Sequence, residues 1–148
     1  MPDTILVPVD GSPLSFQALQ VALSEHPDAE ITALHVIDPT EPGYSYPVDF
    51  DPDAEPLHGS DEWMARAREL ESELFDDVRS TAAEHDAEIE TDTAVGDPRR
   101  VIVEHAEREG TDAIVMGSHG REEETRILLG SVTEAVAFRA PVRVTLVR

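Results

Sequence analysis

The chain has no cysteine and no lysine. The first absence excludes disulfides, thiolate zinc sites and cysteine nucleophiles. The second excludes phosphoryl transfer by a phosphate loop, which needs a lysine after its glycines. No G-x-G-x-x-G dinucleotide fingerprint is present either. Aromatic residues make up only 5% of the 148 positions, so Val, Ile, Leu and Ala have to build most of the core. Long hydrophobic runs are missing as well. Met1-Pro2-Asp3 lacks a basic start and leads into an apolar stretch too short for a signal-peptide core or a membrane span. A cytoplasmic protein without membrane association is therefore expected.

Positive charge is scarce: 11 basic residues, all Arg, stand against 32 Asp and Glu, for a net charge of −21 at pH 7. Such a surface repels itself at low ionic strength, whereas at about 1 M salt the Debye length falls to ~3 Å and most of that repulsion is screened. A salt-rich cytoplasm explains the composition. A basic partner is the rival explanation, but the carboxylates are scattered rather than gathered in one tail. Phosphodiester backbone would meet a Coulomb penalty over this surface, and no basic patch relieves it, so nucleic-acid binding is not expected.

The length suits one domain spanning residues 1–148. Thr4 to Val9 is a β-rich apolar run that ends in Asp10-Gly11, and Pro13 suits the first turn of a helix carried on by Leu14, Ala18, Val21 and Ala22. Ile31 to Ile37 is the next strand. Residues 38–60 hold five of the 11 prolines together with Tyr44, Tyr46 and Phe50 and keep no period, which predicts a long loop, either a solvated connection or a functional cover. From Asp61, Trp63, Ala67, Leu70, Leu74 and Val78 mark a long amphipathic helix, flanked by Met64, Phe75 and Ala82. Ala87 to Val95 is a strand, Gly96-Asp97-Pro98 a turn into a short helix with Val101, Ile102 and Ala106 inward, and Asp112 to Met116 a buried strand. A last helix, Val132 to Arg139, precedes Pro141 and the alternating strand Val142, Val144, Leu146. The alternation predicts an α/β fold, a doubly wound parallel sheet with helices on both faces.

Open α/β sheets bind ligands beyond the carboxyl ends of their strands, which singles out two turns, Pro8-Val9-Asp10-Gly11-Ser12 and Met116-Gly117-Ser118-His119-Gly120-Arg121. The second continues to Gly130-Ser131-Val132-Thr133-Glu134. Glycines at 117, 120 and 130 let backbone N–H groups approach an anion, with positive φ where a nest requires it, and the helix opening at Ser131 favours phosphate at its amino end. Arg121 adds a formal charge. The same residues also fit a capping box from Ser131 to Glu134 and simple glycine turns. Asp10 fits a ribose or cation-water contact and equally a cap for the helix after it.

The spacing Gly117-x2-Gly120-x9-Gly130-Ser131, with Leu128-Leu129 before it and Val132-Thr133-Glu134 after it, resembles the nucleotide-binding motif of the universal stress protein family. Ile5 to Ser12, His35 to Asp38 and Pro141 to Val147 are similar to that family's first, second and last strands, so the resemblance covers the whole chain. It implies a Rossmann-like fold of five parallel strands in the order 3-2-1-4-5, related to the adenine nucleotide alpha hydrolases. It also implies an ATP-binding regulatory or stress-response protein, with ADP or AMP as related ligands and Mg2+ or Mn2+ at the phosphates. Residues matching Pro8, Val9, Asp10 and Val36 would surround adenine and ribose, with Val95 and Gly96 nearby. Met116, Gly117, His119, Gly120, Arg121, Gly130, Ser131, Val132 and Thr133 would hold ribose and phosphates. The acidic run Glu122-Glu123-Glu124 departs from the family pattern and either points to solvent or raises the need for a cation.

No catalytic residue is assigned. His119 is the one evident acid or base in the glycine turn, and a contact or structural role suits it as well; His26, His58, His85 and His105 show no metal-ligand spacing. A slow ATP hydrolase of the same fold and a scaffolding relative without nucleotide are the alternatives. In the implied topology strand 142–147 lies at a sheet edge and, by the same resemblance, pairs across a twofold axis into a homodimer.

Overall fold

The computed structural model describes residues 2–40, 59–119 and 129–148. Among the described residues nine elements follow one another: β1 (Thr4–Pro8), α1 (Pro13–Glu25), β2 (Glu30–Ile37), α2 (Asp61–Glu84), β3 (Glu90–Val95), α3 (Pro98–Arg108), β4 (Ala113–Gly117), α4 (Ser131–Arg139) and β5 (Arg143–Val147). The strands form one sheet in the order β3-β2-β1-β4-β5, and every pairing is parallel. Strand order and class match the expectation. Element boundaries shift by up to three residues: β1 stops at Pro8 and β3 starts at Glu90, while α1 starts at Pro13 as expected, where no intrahelical N–H partner is needed.

Alternation along the central strands sorts side chains to two cores. Ile5, Val7, Ala33 and Val115 face α1 and α2, where they meet Leu19, Ala22, Phe75 and Val78. Leu6, Leu34, Val36, Ile114 and Met116 face the other way, onto Ile102 and Ala106 of α3 and Val136 of α4. Both faces of β1 and β4 are therefore buried, the condition under which strands read as continuous apolar runs. A small third cluster of Ile37, Trp63 and Ala67 seats the start of α2.

The α2 stripe differs from the expected one. Its fully buried line is Trp63, Ala67, Glu71, Phe75, Val78 and Ala82, with Leu70 and Leu74 only partly covered. Spacings of four and three keep this line on one helix face, and Glu71 sits in the middle of it. Of the expected loop 38–60, residues 41–58 lie outside the described residues. At its near end Asp38 Oδ1 accepts from the Thr40 N–H at 2.9 Å and the Thr40 hydroxyl at 2.7 Å.

Candidate functional site

Because β1 and β4 are neighbours, the turns that follow them open side by side at the carboxyl end of the sheet. The closeness is atomic: a Cβ added to Gly117 would lie 2.9 Å from Cβ of Leu14 in the first turn of α1. After β1, the Val9 N–H donates to the Leu34 carbonyl at 2.9 Å and keeps the chain on β2 until Asp10. Asp10 is buried, and its Oδ1 accepts from the Ser12 N–H at 2.9 Å. The cap of α1 is Ser12, whose hydroxyl oxygen accepts from the Ser15 N–H at 3.2 Å, so Asp10 shapes the turn without capping the helix.

After β4, two bonds fasten the start of α4 to the strand end, and a third ties that strand end to β5. The Ser118 N–H donates to Val147 and the Gly130 N–H to Ser118, both at 2.8 Å, and the Thr133 hydroxyl donates to the Gly117 carbonyl at 2.9 Å. Gly130 is the N-cap and Ser131 the first helical residue, so the capping box from Ser131 is not the arrangement formed. A glycine cap offers no side-chain oxygen to the first helical N–H groups. By contrast α1 is capped by Ser12, α2 by Ser60 and α3 by Asp97. An aspartate at the third of these adds negative charge at the helix end, while α4 has no capping side chain and carries Glu134 in its first turn. Gly130 has φ −69° and Gly117 is outside the left-handed region, so neither forms the positive-φ nest envisaged from sequence.

The other expected residues that the structure describes lie at the same end of the sheet. Met116 and Gly117 close β4, and the Nδ1 atom of His119 is buried without a hydrogen-bond partner among the described residues. That orphaned nitrogen fits a ligand contact. Val36 is fully buried beneath α3, so it supports the floor through its side chain and could meet a ligand only through its backbone. Val9 is fully buried too, in the core under α1 and α2, while Val95 is 48% exposed at the end of β3. Gly96 continues the ladder by donating to the Ile37 carbonyl at 2.9 Å, has φ +147°, and leaves no room for a Cβ, which would lie 2.9 Å from Val101 Cγ2. Gly120, Arg121 and Glu122 to Glu124 lie outside the described residues. Among those described, no three His, Asp or Glu side chains converge to hold a metal ion.

The opposite, amino end of the sheet holds a polar cavity of about 200 Å³ lined by Thr4, Glu30, Thr32, Asp92, His105 and Glu109, among others. Its carboxylates repel an anionic ligand. His105 Nε2 lies 2.8 Å from Asp92 Oδ2, and this hydrogen bond, against the opposing effect of burial, holds the Asp92 carboxyl below the ordinary aspartate range. Asp112 is lowered as well, by the N–H groups of Thr4 and Asp3 that donate to it. At Asp97 burial is the largest single influence and raises the pKa, but the bonds from Arg99 outweigh it and the net direction is down. No described helix is long and apolar enough to cross a membrane.

A sequence model of the Universal stress protein family matches residues 1–148. The chain is 35% identical over 147 residues to universal stress protein MJ0531 of Methanocaldococcus jannaschii, an alignment covering 97% of this chain and 81% of the relative. The solved structure of MJ0577 superposes with a TM-score of 0.80 at 30% identity, covering 98% of this chain and 94% of that one. A universal stress protein from Archaeoglobus fulgidus, solved in complex with dAMP, shares the fold with a TM-score of 0.66 at 23% identity, covering 98% and 97%.

Proposed function

The chain belongs to the universal stress protein family, and we propose that it is a regulatory protein that binds an adenine nucleotide, ATP foremost, at the carboxyl ends of β1 and β4. The observation that carries this reading is the start of α4. It stands behind a glycine cap, is tied by two hydrogen bonds to the end of β4, and lies beside the turn after β1. Phosphates would sit at the N–H groups of Ser131, Val132 and Thr133, near His119, with Gly120 and Arg121 completing the turn. Adenine and ribose would lie over Pro8, Val9, Asp10 and Val36, toward Val95 and Gly96. Mg2+ or Mn2+ would neutralise the phosphates, the more needed in a chain of −21. The dAMP complex of a protein of the same fold supports the ligand class.

Calorimetry with ATP, ADP and AMP, with and without Mg2+, in high salt tests the reading: saturable heat with ATP and Mg2+ is expected. Absence of both heat and thermal shift with every nucleotide would remove it.

The same reading includes a cytoplasmic homodimer paired through residues 142–147. Among the described residues β5 pairs with β4 alone and is an edge of the sheet. All 32 carboxylates lie in residues 1–134, while residues 135–148 carry Arg139, Arg143 and Arg148 and no acid. That edge is the surface on which two such acidic chains repel least. Sedimentation in high salt that reports only a monomer contradicts it.

A further inference from the structure

Three carboxylate residues are buried among the described residues: Asp10, Asp38 and Glu71. The first two lie at strand ends. Glu71 lies under α2, on its apolar stripe, and its Oε2 atom is 2.5 Å from His35 Nδ1 and 2.8 Å from Thr93 Oγ1. A carboxylate oxygen only accepts, so the imidazole N–H and the hydroxyl both donate to that one atom. His35 and Thr93 are register partners on the neighbouring strands β2 and β3, and a single oxygen therefore ties three elements together. Phe75, one helical turn on, meets the His35 ring edge-on with centroids 6.4 Å apart and closes the cluster on that side.

A leucine at position 71 would continue the stripe without desolvating a charge, and buried ionic groups are weak contributors to net stability. What Glu71 adds is geometry at a place that lacks it. Among the described residues β3 is an edge strand paired with β2 alone, and none of its residues is buried. Two residues beyond His35 comes Ile37, whose carbonyl accepts the Gly96 N–H, and three residues beyond Thr93 comes Gly96 itself. The clamp thus sits directly behind the carboxyl ends of β2 and β3.

We infer that Glu71 is a positioning residue of the nucleotide site: acting through His35 and Thr93, it sets the placement of Val36, Val95 and Gly96. The inference rests on the nucleotide reading above, and the Gly96 amide supplies a readout independent of any ligand. The variants Glu71→Ala, Glu71→Gln and Thr93→Val are compared by amide hydrogen exchange and ATP calorimetry in high salt. Glutamine keeps an oxygen that accepts both donors, alanine leaves both unmet, and valine removes one donor while keeping its shape. Gly96 exchange rises about tenfold in Glu71→Ala, about threefold in Thr93→Val and less than about twofold in Glu71→Gln, while the Val9 amide, on the far side of β2, keeps its wild-type rate. The ATP dissociation constant rises about tenfold in Glu71→Ala and is restored to within about twofold in Glu71→Gln. Equal acceleration at Gly96 and Val9 overturns the positioning role in favour of a global one, and an unchanged Gly96 overturns it outright. Should Glu71→Ala fail to fold, Thr93→Val decides by the same two amides. A wild-type chain that binds no ATP overturns the ligand half of the inference and the nucleotide reading, whereas unchanged Gly96 exchange overturns the positioning half alone.

Discussion

Replacing Gly117 by alanine separates two reasons for a glycine at the end of β4. If the residue is small only to let phosphate approach, alanine weakens ligand binding and leaves the apo fold intact. The structure gives another reason. The new Cβ would lie 2.9 Å from Cβ of Leu14, 3.2 Å from the Leu14 carbonyl carbon and 3.3 Å from the His119 carbonyl oxygen. Carbon atoms prefer roughly 3.5–4.0 Å, so the deficit exceeds about half an ångström against Leu14. Part of that contact is backbone, which no rotamer change relieves, and α1 is held in place by the Ser12 cap. Overpacking of this kind costs about 1–3 kcal/mol. For a domain of this size each kcal/mol lowers Tm by roughly 2–4 °C, which gives a drop of about 2–12 °C for ligand-free Gly117→Ala. Calorimetric melting in fixed high salt, with nucleotide removed beforehand, measures it. A Tm within about 1 °C of wild type would refute the steric account.

Acid should destabilise the fold through Asp92, Asp97 and Asp112, whose folded pKa values all lie below the ordinary 3.8. Their stabilisation is complete above the unfolded value and is lost as pH falls below about 4 through the folded values, because the unfolded chain takes up protons first. Urea midpoints at pH 7, 5 and 3.5 check this, and a midpoint unchanged at pH 3.5 contradicts it. Asp97→Ala removes the α3 cap, a bond from the Arg99 N–H at 3.0 Å, and should cost about 1 kcal/mol by urea titration. Phe138 is 82% exposed on α4, so Phe138→Ser should leave monomer stability within about 0.5 kcal/mol. With a net charge of −21, Tm should climb steadily between 0.1 M and about 2 M KCl; a flat profile would argue against an acidic surface adapted to salt.

The elements were legible because the hydrophobic pattern changes period at each one. Val7, Val9 and Ile114 sit in runs that suit strands buried on both faces, while Trp63, Ala67 and Val78 keep helical spacing. The order of the strands came from the resemblance of the motifs, since alternation alone does not rank neighbours. Glu71 escaped notice because a charged residue is taken as solvent-facing by default. The signal available was its spacing of four from both Ala67 and Phe75, together with a histidine inside an otherwise apolar strand, which needs a buried partner. The start of α4 turned on one residue: with Ser131 as cap the motif is a capping box, and with Gly130 as cap the helix end has no side-chain cap. Sequence pattern does not resolve a shift that small. Nor could it show that Leu14, far away in the chain, closes the space above Gly117.

The central claim is where the nucleotide sits, and amide shifts on titrating ATP with Mg2+ into the 15N-labelled protein in high salt test it most directly. The account predicts the largest shifts at Val9 to Ser12, Gly117 to His119 and Gly130 to Thr133, with Glu30, Asp92 and His105 at the amino end unmoved. Shifts confined to that amino end, or none at saturating ATP, would contradict it.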